Sequence, residues 1–415
     1  MMPNPERVLV DPTKNLHAAF DLRPSLQGLI DHKREQKMNS ELCDKLGIEF
    51  PLFAFTHCRD VVAAVTNAGG FGVLGAVGLT PKSLEIEMDW IDKNVQGKPY
   101  GIDLLIPTRM EDKAGTLTDD QLRHHIPIGH RKFVEELLDR HGIDSTDLWN
   151  GEYDGRSSDN LREAGALQLI DVAFRHPIKL FVNALGVPPK SVMERAREKG
   201  IMVGALTGAK EHAVKHAQAG VDILVAAGGE AGGHCGEVAT MVLVPEVLEA
   251  IEDYKDIYVL AAGGIATGRQ MAACMAMGAA GAWTGSVWLT TSEAETTPTV
   301  KAKMLKATSR HTVRSRSRTG KPTRQLRSAW SDAWASKDAP DPLSMPLQGL
   351  LSRPPFAKVD KLAAGGHCGA QELASYFVGQ AVGLMNTEQP ARSVVLDFKQ
   401  DFVEAVARLS ATLNE

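Results

Sequence analysis

The 415-residue chain has few cysteines, little excess charge of either sign and no long unbroken apolar run. Its five cysteines, Cys43, Cys58, Cys235, Cys274 and Cys368, are odd in number and lack Cys-x-x-Cys spacing. A disulfide framework and a zinc ribbon are therefore disfavoured, and a reducing, cytoplasmic setting is expected. Lys plus Arg total 46 against 51 Asp plus Glu, a formal net charge of −5 with a pI near 6.2. That balance argues against nucleic acid as a partner, since a general binder needs a basic surplus on at least one face. The opening residues Met1-Met2-Pro3-Asn4-Pro5-Glu6-Arg7 lack the apolar stretch of a signal peptide, so no export is expected. From Gln270 to Ser292 no residue is charged, but the segment is mostly Ala, Gly, Thr and Ser, and Gly278 to Gly285 divides it into a helix followed by a strand. It reads as core rather than as a membrane span.

What the chain does have is glycine, 38 residues or about 9%, against an average of about 7%. Much of it falls in three runs between Gly228 and Gly285. With 43% hydrophobic and 23% charged residues a substantial core can form. Short apolar runs recur at 51–55, 72–77, 100–106, 179–185, 201–206, 222–227, 257–262 and 280–284, with amphipathic stretches of helical length between most of them. Runs that are continuously apolar, without period-two alternation, indicate strands covered on both faces. The helical stretches at 189–199 and 209–219 each close on a glycine, Gly200 and Gly220.

Eight such units predict an α/β fold of the TIM (β/α)8 type, with a doubly wound open sheet as the second choice. The additions to it are an extension at 1–45 with a charged helical stretch around 29–46, an insertion after strand 3 at 109–176, and a polar, basic cap or substrate segment at 293–370. The barrel itself is assigned to 46–292, and residues 371–415 are assigned to C-terminal helices returning to it.

In a barrel the chemistry sits at the carboxyl ends of the strands. The run Ala227-Gly228-Gly229-Glu230-Ala231-Gly232-Gly233-His234-Cys235-Gly236 follows the sixth strand directly. Its glycines let backbone N–H groups approach a planar or anionic ligand, and its single imidazole suits a general base near neutral pH. His234 can equally cap a helix or satisfy a carbonyl. The next two strands end in Gly263-Gly264-Ile265 and Thr284-Gly285-Ser286, matching the usual phosphate site after strands seven and eight.

Together with Gly278-Ala279-Ala280-Gly281, Asn67-Ala68-Gly69-Gly70-Phe71-Gly72, the strand 101–107 and Gly186-Val187-Pro188-Pro189, these runs resemble the nitronate monooxygenase family of flavin mononucleotide (FMN) barrels. Late matches at Thr319-Gly320-Lys321-Pro322-Thr323-Arg324 and 378–384 extend the resemblance over about residues 47–390, outside the insertion. A related branch of that family contains the flavin-dependent enoyl-acyl-carrier-protein reductases. The resemblance implies His234 as the base, removing a proton from an activated carbon or orienting the substrate. It also implies that the Ala54-Phe55-Thr56 backbone lies against the flavin, that Asp103 stands where the family usually has a ring-contacting Asn, that Ala227 and Gly232 line the ring, and that Gly263, Gly264, Gly285 and Ser286 hold the phosphate. An ionised Asp103 would lower the flavin's potential unless protonated or paired.

The activity expected from this resemblance is oxidation of a small carbanion such as an alkyl nitronate, with oxygen as acceptor. The alternatives are an NAD(P)H-linked reductase or dehydrogenase of an acyl thioester or quinone, and a barrel that binds a phosphorylated ligand without redox chemistry. The partner is a small molecule in each case, with no membrane, and a homo-oligomer is compatible with the sequence but not demanded by it. Arg310, Arg314, Arg316, Arg318, Lys321, Arg324 and Arg327 form an acid-free basic stretch that can grip nucleotide or coenzyme A phosphates, form a solvated loop or pair with acids of the insertion. The second Gly-Gly-His-Cys-Gly string at 365–369 is read as coincidence, because adjacent His-Cys pairs chelate zinc poorly and no metal site is expected. Cys58 and Cys235 keep a thiol nucleophile open as a minor reading.

Overall fold

The computed structural model describes residues 38, 40–106, 119–150 and 163–413. The stretches 1–37, 107–118 and 151–162, which carry most of the predicted extension and both ends of the insertion's core, lie outside the described residues. Eight parallel strands close on themselves: β1 (Leu52–Thr56), β2 (Phe71–Gly75), β3 (Gly101–Leu104), β4 (Leu180–Asn183), β5 (Met202–Thr207), β6 (Ile223–Ala227), β8 (Tyr258–Ala262) and β9 (Gly281–Thr284). All eight predicted strands are present, and the open sheet is excluded because β9 pairs with β1, Leu52 opposite Ala282 and Ala54 opposite Thr284.

The interior follows from alternation along each strand. Phe53, Phe71, Val73, Leu180, Val182, Ile223, Val225, Leu260, Ala262 and Trp283 form one buried cluster, with Phe55, Leu206 and Ala227 packed against it. Each fully buried side chain of this size stabilises the fold by roughly 1.5–3 kcal/mol relative to exposure. Trp283 stacks on Phe53 at 6.3 Å and on Phe55 at 6.0 Å, bridging the closing seam. The same cluster takes in Leu42, Cys43, Leu46 and Ile48. The helix Glu41–Leu46 that carries three of them begins only after Ser40. This helix spans the expected boundary at 45/46, and its apolar face is part of the barrel core.

The glycine signals at helix ends hold. Gly220 terminates Lys210–Ala219 in the left-handed conformation at φ 81°, and Gly200 follows Lys190–Glu198 at φ 66°. The charge-free segment becomes the helix Gly268–Ala276, strand β9 and a 3-10 turn Ser286–Thr290. Among the described residues no helix is long and apolar enough to cross a membrane.

The predicted cap has its own architecture. An antiparallel hairpin, β10 (Thr312–Ser315) and β11 (Thr323–Leu326), pairs with the two-residue strand β7 (Gly233–His234) in the loop after β6. Behind it, helix Leu347–Ala364 packs on the insertion helices Asp119–Arg123 and Ile128–Arg140. Phe133 meets Trp334 edge-on at 4.9 Å and His130 Nε2 lies 2.9 Å from the Asp341 carbonyl oxygen. Insertion and cap are therefore packed on each other. The C-terminal helix Ala391–Leu413 returns to the barrel against helix Gly268–Ala276.

That last contact needs a glycine. A Cβ on Gly268 would collide with the Phe398 carbonyl and the Phe402 amide, whereas one on Gly349, inside helix Leu347–Ala364, meets nothing within 4 Å. Gly268→Ala is expected to lower stability by about 1–3 kcal/mol through overpacking, and Gly349→Ala to raise it by about 0.5–1 kcal/mol through reduced backbone entropy. Urea unfolding of the two variants checks the opposite signs.

Candidate active site at the carboxyl rim of the barrel

Barrel closure lines up four adjacent strand ends in the order β6, β8, β9, β1. Ala227, Gly263 and Gly264, Gly285 and Ser286, and Ala54 to Thr56 therefore share one arc of the rim. Asp103 lies on β3, separated from β1 by β2 alone, with Gly75 opposite it in the ladder. The predicted site residues, scattered over more than 230 positions of sequence, are brought to one end of the barrel.

The turn after β8 is built for close backbone approach. Gly263 and Gly264 have φ of 96° and 73°, where a side chain is strained. Gln270 braces it, donating from Nε2 to the Gly264 carbonyl at 2.7 Å and accepting from the Ala266 amide at 2.9 Å. Thr267 caps the following helix. The backbone N–H groups of Gly263, Gly264 and Ser286 meet no acceptor among the described residues. With the amino end of helix Gly268–Ala276 they form a donor set suited to a phosphate. Ser286 Oγ accepts from the Gly379 amide at 2.8 Å, which leaves its own proton available to donate.

The loop between β6 and β7 is held from below and above. Below, the Glu230 carboxylate accepts from the Thr240 amide at 2.9 Å and from its hydroxyl at 3.0 Å, capping the next helix. Above, Arg324 forks onto the Gly229 carbonyl at 2.9 and 2.7 Å. Gly232 is packed against the chain itself: a Cβ there would sit 2.8 Å from the Gly379 nitrogen and the Val378 carbonyl carbon. Glu230, Thr240 and Arg324 were not among the predicted site residues. Glu230 lies in the glycine run and Arg324 in the basic stretch, but nothing in the sequence signalled that they and Thr240 clamp this loop.

His234 sits on β7 opposite Thr323. Its Nε2 lies 3.0 Å from Thr319 Oγ1, which also donates to the Lys321 carbonyl at 3.1 Å. A hydroxyl has one proton, so the arrangement that satisfies both contacts has Nε2–H donating to Thr319 and leaves the Nδ1 lone pair free. The ring keeps an exposed edge, yet the protein crowds it closely enough that desolvation, with the positive charge of Lys321, holds its pKa below the usual imidazole value. It is a neutral imidazole at pH 7. Asp103 is buried, and desolvation raises its carboxyl well above the ordinary range. Burial thus favours the neutral carboxyl, which bears on the concern over an anion at this position. Asn183, fully buried at the end of β4, accepts from the Ile106 amide at 2.8 Å and donates to the Leu185 and Gly186 carbonyls, bracing two rim loops.

Most of the basic stretch is committed to the fold. Arg314 pairs with Glu237 at 2.9 Å and Arg327 with Asp332 at 2.8 Å, while Arg316 donates to Gly320 and Pro342 carbonyls. Arg318 is enclosed, 3.5 Å from the Phe356 ring centre, and burial pushes its pKa down to about 10. Among the described residues the acidic partners of this stretch are Glu237 and Asp332, outside the insertion. Burial raises the Cys58 thiol, which donates to the Glu293 carbonyl, so it is no activated nucleophile. His367, in the second glycine string, caps helix Cys368–Leu373 through Nδ1.

A closed parallel barrel with paired glycine turns, a histidine and a buried acid on one rim has the make-up of a barrel enzyme. Residues 39–401 match the nitronate monooxygenase family as a whole. The Mycobacterium tuberculosis protein Rv1533, provisionally named a monooxygenase, is 53% identical over 91% of this chain and 100% of its own length. A Staphylococcus haemolyticus protein provisionally named a nitronate monooxygenase is 27% identical over 84% of this chain and 93% of its own. Among solved structures, nitroalkane oxidase from Streptomyces ansochromogenes superposes with a TM-score of 0.70 at 26% identity, covering 89% of this chain and 99% of that one. FabK from Thermotoga maritima shares the fold, with a TM-score of 0.65 at 24% identity over 90% of this chain and 99% of that one. The chain belongs to the nitronate monooxygenase family and is an oxidoreductase. The non-redox reading is thereby set aside.

Two electrostatic outcomes follow. Because the folded state holds a proton on Asp103 that the unfolded state releases, stability falls as pH rises from about 4 toward the raised pKa, by roughly 1.4 kcal/mol per unit. Asp103→Asn is therefore expected to raise the melting temperature more at pH 8 than at pH 5 in parallel thermal scans. For His234, an NMR titration is expected to give a midpoint below the ordinary value of about 6.5, and Lys321→Gln to move it upward.

Proposed function

We propose that the protein is an FMN-dependent enzyme that oxidises a small carbanionic substrate of the alkyl nitronate class, with His234 as base and oxygen as acceptor. The observation that carries this reading is the neutral His234 imidazole, aligned by Thr319 and presented on the same rim as the paired glycine turns. FMN fits the residues present. The backbone donors of Gly263, Gly264 and Ser286, with Gly285 between the two turns' strands, suit its phosphate. Ala54, Phe55, Thr56 and Ala227, with the buried Asp103 carboxyl, suit its ring. When bound, FMN supplies a two-electron acceptor that passes electrons to oxygen.

The chain's own groups divide the remaining work. Nδ1 of His234, the free nitrogen, accepts the Cα proton when the substrate arrives as a nitroalkane. A nitronate arrives already deprotonated, and there the ring and the Lys321 charge orient the anion. Arg316, Arg318 and Arg324 are taken up in contacts to backbone carbonyls, which weakens the sequence argument for NAD(P)H phosphate binding and so favours this reading over a thioester or quinone reductase.

His234→Ala is expected to leave FMN bound, with its yellow absorbance intact, and to cut nitroalkane turnover by roughly 10²- to 10⁴-fold, with a smaller loss on the nitronate. Near-wild-type nitroalkane turnover would assign His234 a structural role. Anaerobic mixing tests the substrate class: rapid reduction by NADH or NADPH, with no response to nitronates, would reject it.

A further inference from the structure

On the outer layer of the barrel, remote in sequence from the glycine loops, His176 has an unusual environment. It lies three residues beyond helix Glu163–Ala173 and just before β4, and its side chain is only 5% exposed. Its Nδ1 is 2.7 Å from Asp92 Oδ2, and the other oxygen of Asp92 accepts from the Tyr100 hydroxyl at 2.6 Å. Asp92 is thus held on both sides and fixes the imidazole with its proton on Nδ1. The Nε2 lone pair then faces away from Asp92, buried and without a hydrogen-bond partner.

What Nε2 faces is a pair of carboxylates. Glu85 and Asp89 are one turn apart on helix Pro81–Asn94, which the capping box of Thr80 and Ser83 anchors at its start. Nε2 and one oxygen from each carboxylate all lie within 4.8 Å of one another. Glu85 Oε1 is 3.9 Å from Nε2, too far for a hydrogen bond, while its other oxygen pairs with Arg175. The contacting groups comprise the carboxylates of Glu85, Asp89 and Asp92 against the guanidinium of Arg175, leaving an excess of negative charge around the imidazole.

We propose that Glu85, Asp89 and His176 form a binding site for a divalent transition-metal ion of the zinc type. The chemistry is that of a mixed nitrogen and oxygen donor set. A buried imidazole nitrogen selects such an ion over calcium or magnesium, and the two carboxylates complete three protein ligands with water in the remaining position. The hydrogen bond from the far ring nitrogen to a carboxylate is the outer arrangement that orients metal-bound histidines. Rotation of the Glu85 and Asp89 side chains draws their oxygens to the roughly 2.0–2.2 Å that zinc requires. The Asp89 side chain is exposed, which opens the cluster to solvent. Such an ion ties helix Pro81–Asn94 to the segment entering β4, so its role is structural and independent of the rim. The other compact group of potential ligands among the described residues, Cys58, Asp60 and Glu295, is a weaker candidate because the Cys58 thiol already donates to Glu293.

The test uses tag-free full-length protein stripped with EDTA, loaded with Zn2+, passed through gel filtration and assayed for metal content. One Zn2+ per chain is expected to remain. His176→Ala is expected to lose it, Asp89→Asn to weaken binding at least tenfold, and Asp92→Asn to weaken it by roughly 10- to 100-fold. Cys58→Ala is expected to bind like the wild type. If His176→Ala fails to fold, Asp89→Asn decides alone, because its side chain is exposed. Absence of retained Zn2+ in the wild type, or equal retention by Asp89→Asn, would overturn the assignment and leave His176 as a buried partner of Asp92 alone.

Discussion

The pairing of β1 with β9 is the constraint on which the rest of the molecule depends. Leu52 and Ala282 are 230 positions apart in sequence, yet their backbones share a parallel ladder, and the Thr284 hydroxyl reinforces it by donating to the Phe53 carbonyl at 3.0 Å. Trp283 stacked between Phe53 and Phe55 fills the interior across that seam. An open sheet would leave Ala54 to Thr56 on one edge and Gly285 to Ser286 on the other. Closure makes them neighbours, and only then do the glycine turns and the end of β1 share one rim.

The second constraint is the cap. A glycine-rich loop has high conformational entropy when unfolded, and no apolar side chain of its own to order it. Here the order comes from outside the barrel: β11 pairs with Gly233 and His234, Arg324 clamps Gly229, and residues 378–380 pass so close to Gly232 that neither Gly232 nor Gly379 tolerates a side chain. The cap is in turn packed on the insertion through Trp334 and Phe133. Two segments that stand outside the barrel repeat therefore position His234.

Electrostatically the rim works by desolvation. Burial drives an acid and a base in opposite directions, Asp103 up and His234 down, favouring the uncharged form of each. The arginines that look like a phosphate grip are instead spent on carbonyls, carboxylates and an aromatic box around Arg318, leaving Lys321 as the cation whose charge reaches His234.

Strand identity was legible in the sequence because a parallel barrel strand is apolar on both faces, and all eight runs fall where the apolar runs do. The glycine turns were legible too, since positive φ and close approach admit little else, as at Gly263 and Gly264. The core role of helix Glu41–Leu46 was not, because it alternates like a surface helix and reveals that role only through the barrel floor it covers. Nor were the partners of His234, the raised pKa of Asp103 or the cluster at His176. Local pattern determines which residues can bend, span or bury, but a pKa, a tautomer or a ligand set depends on atoms supplied by distant segments. Those were decided when the barrel closed and the cap docked on it.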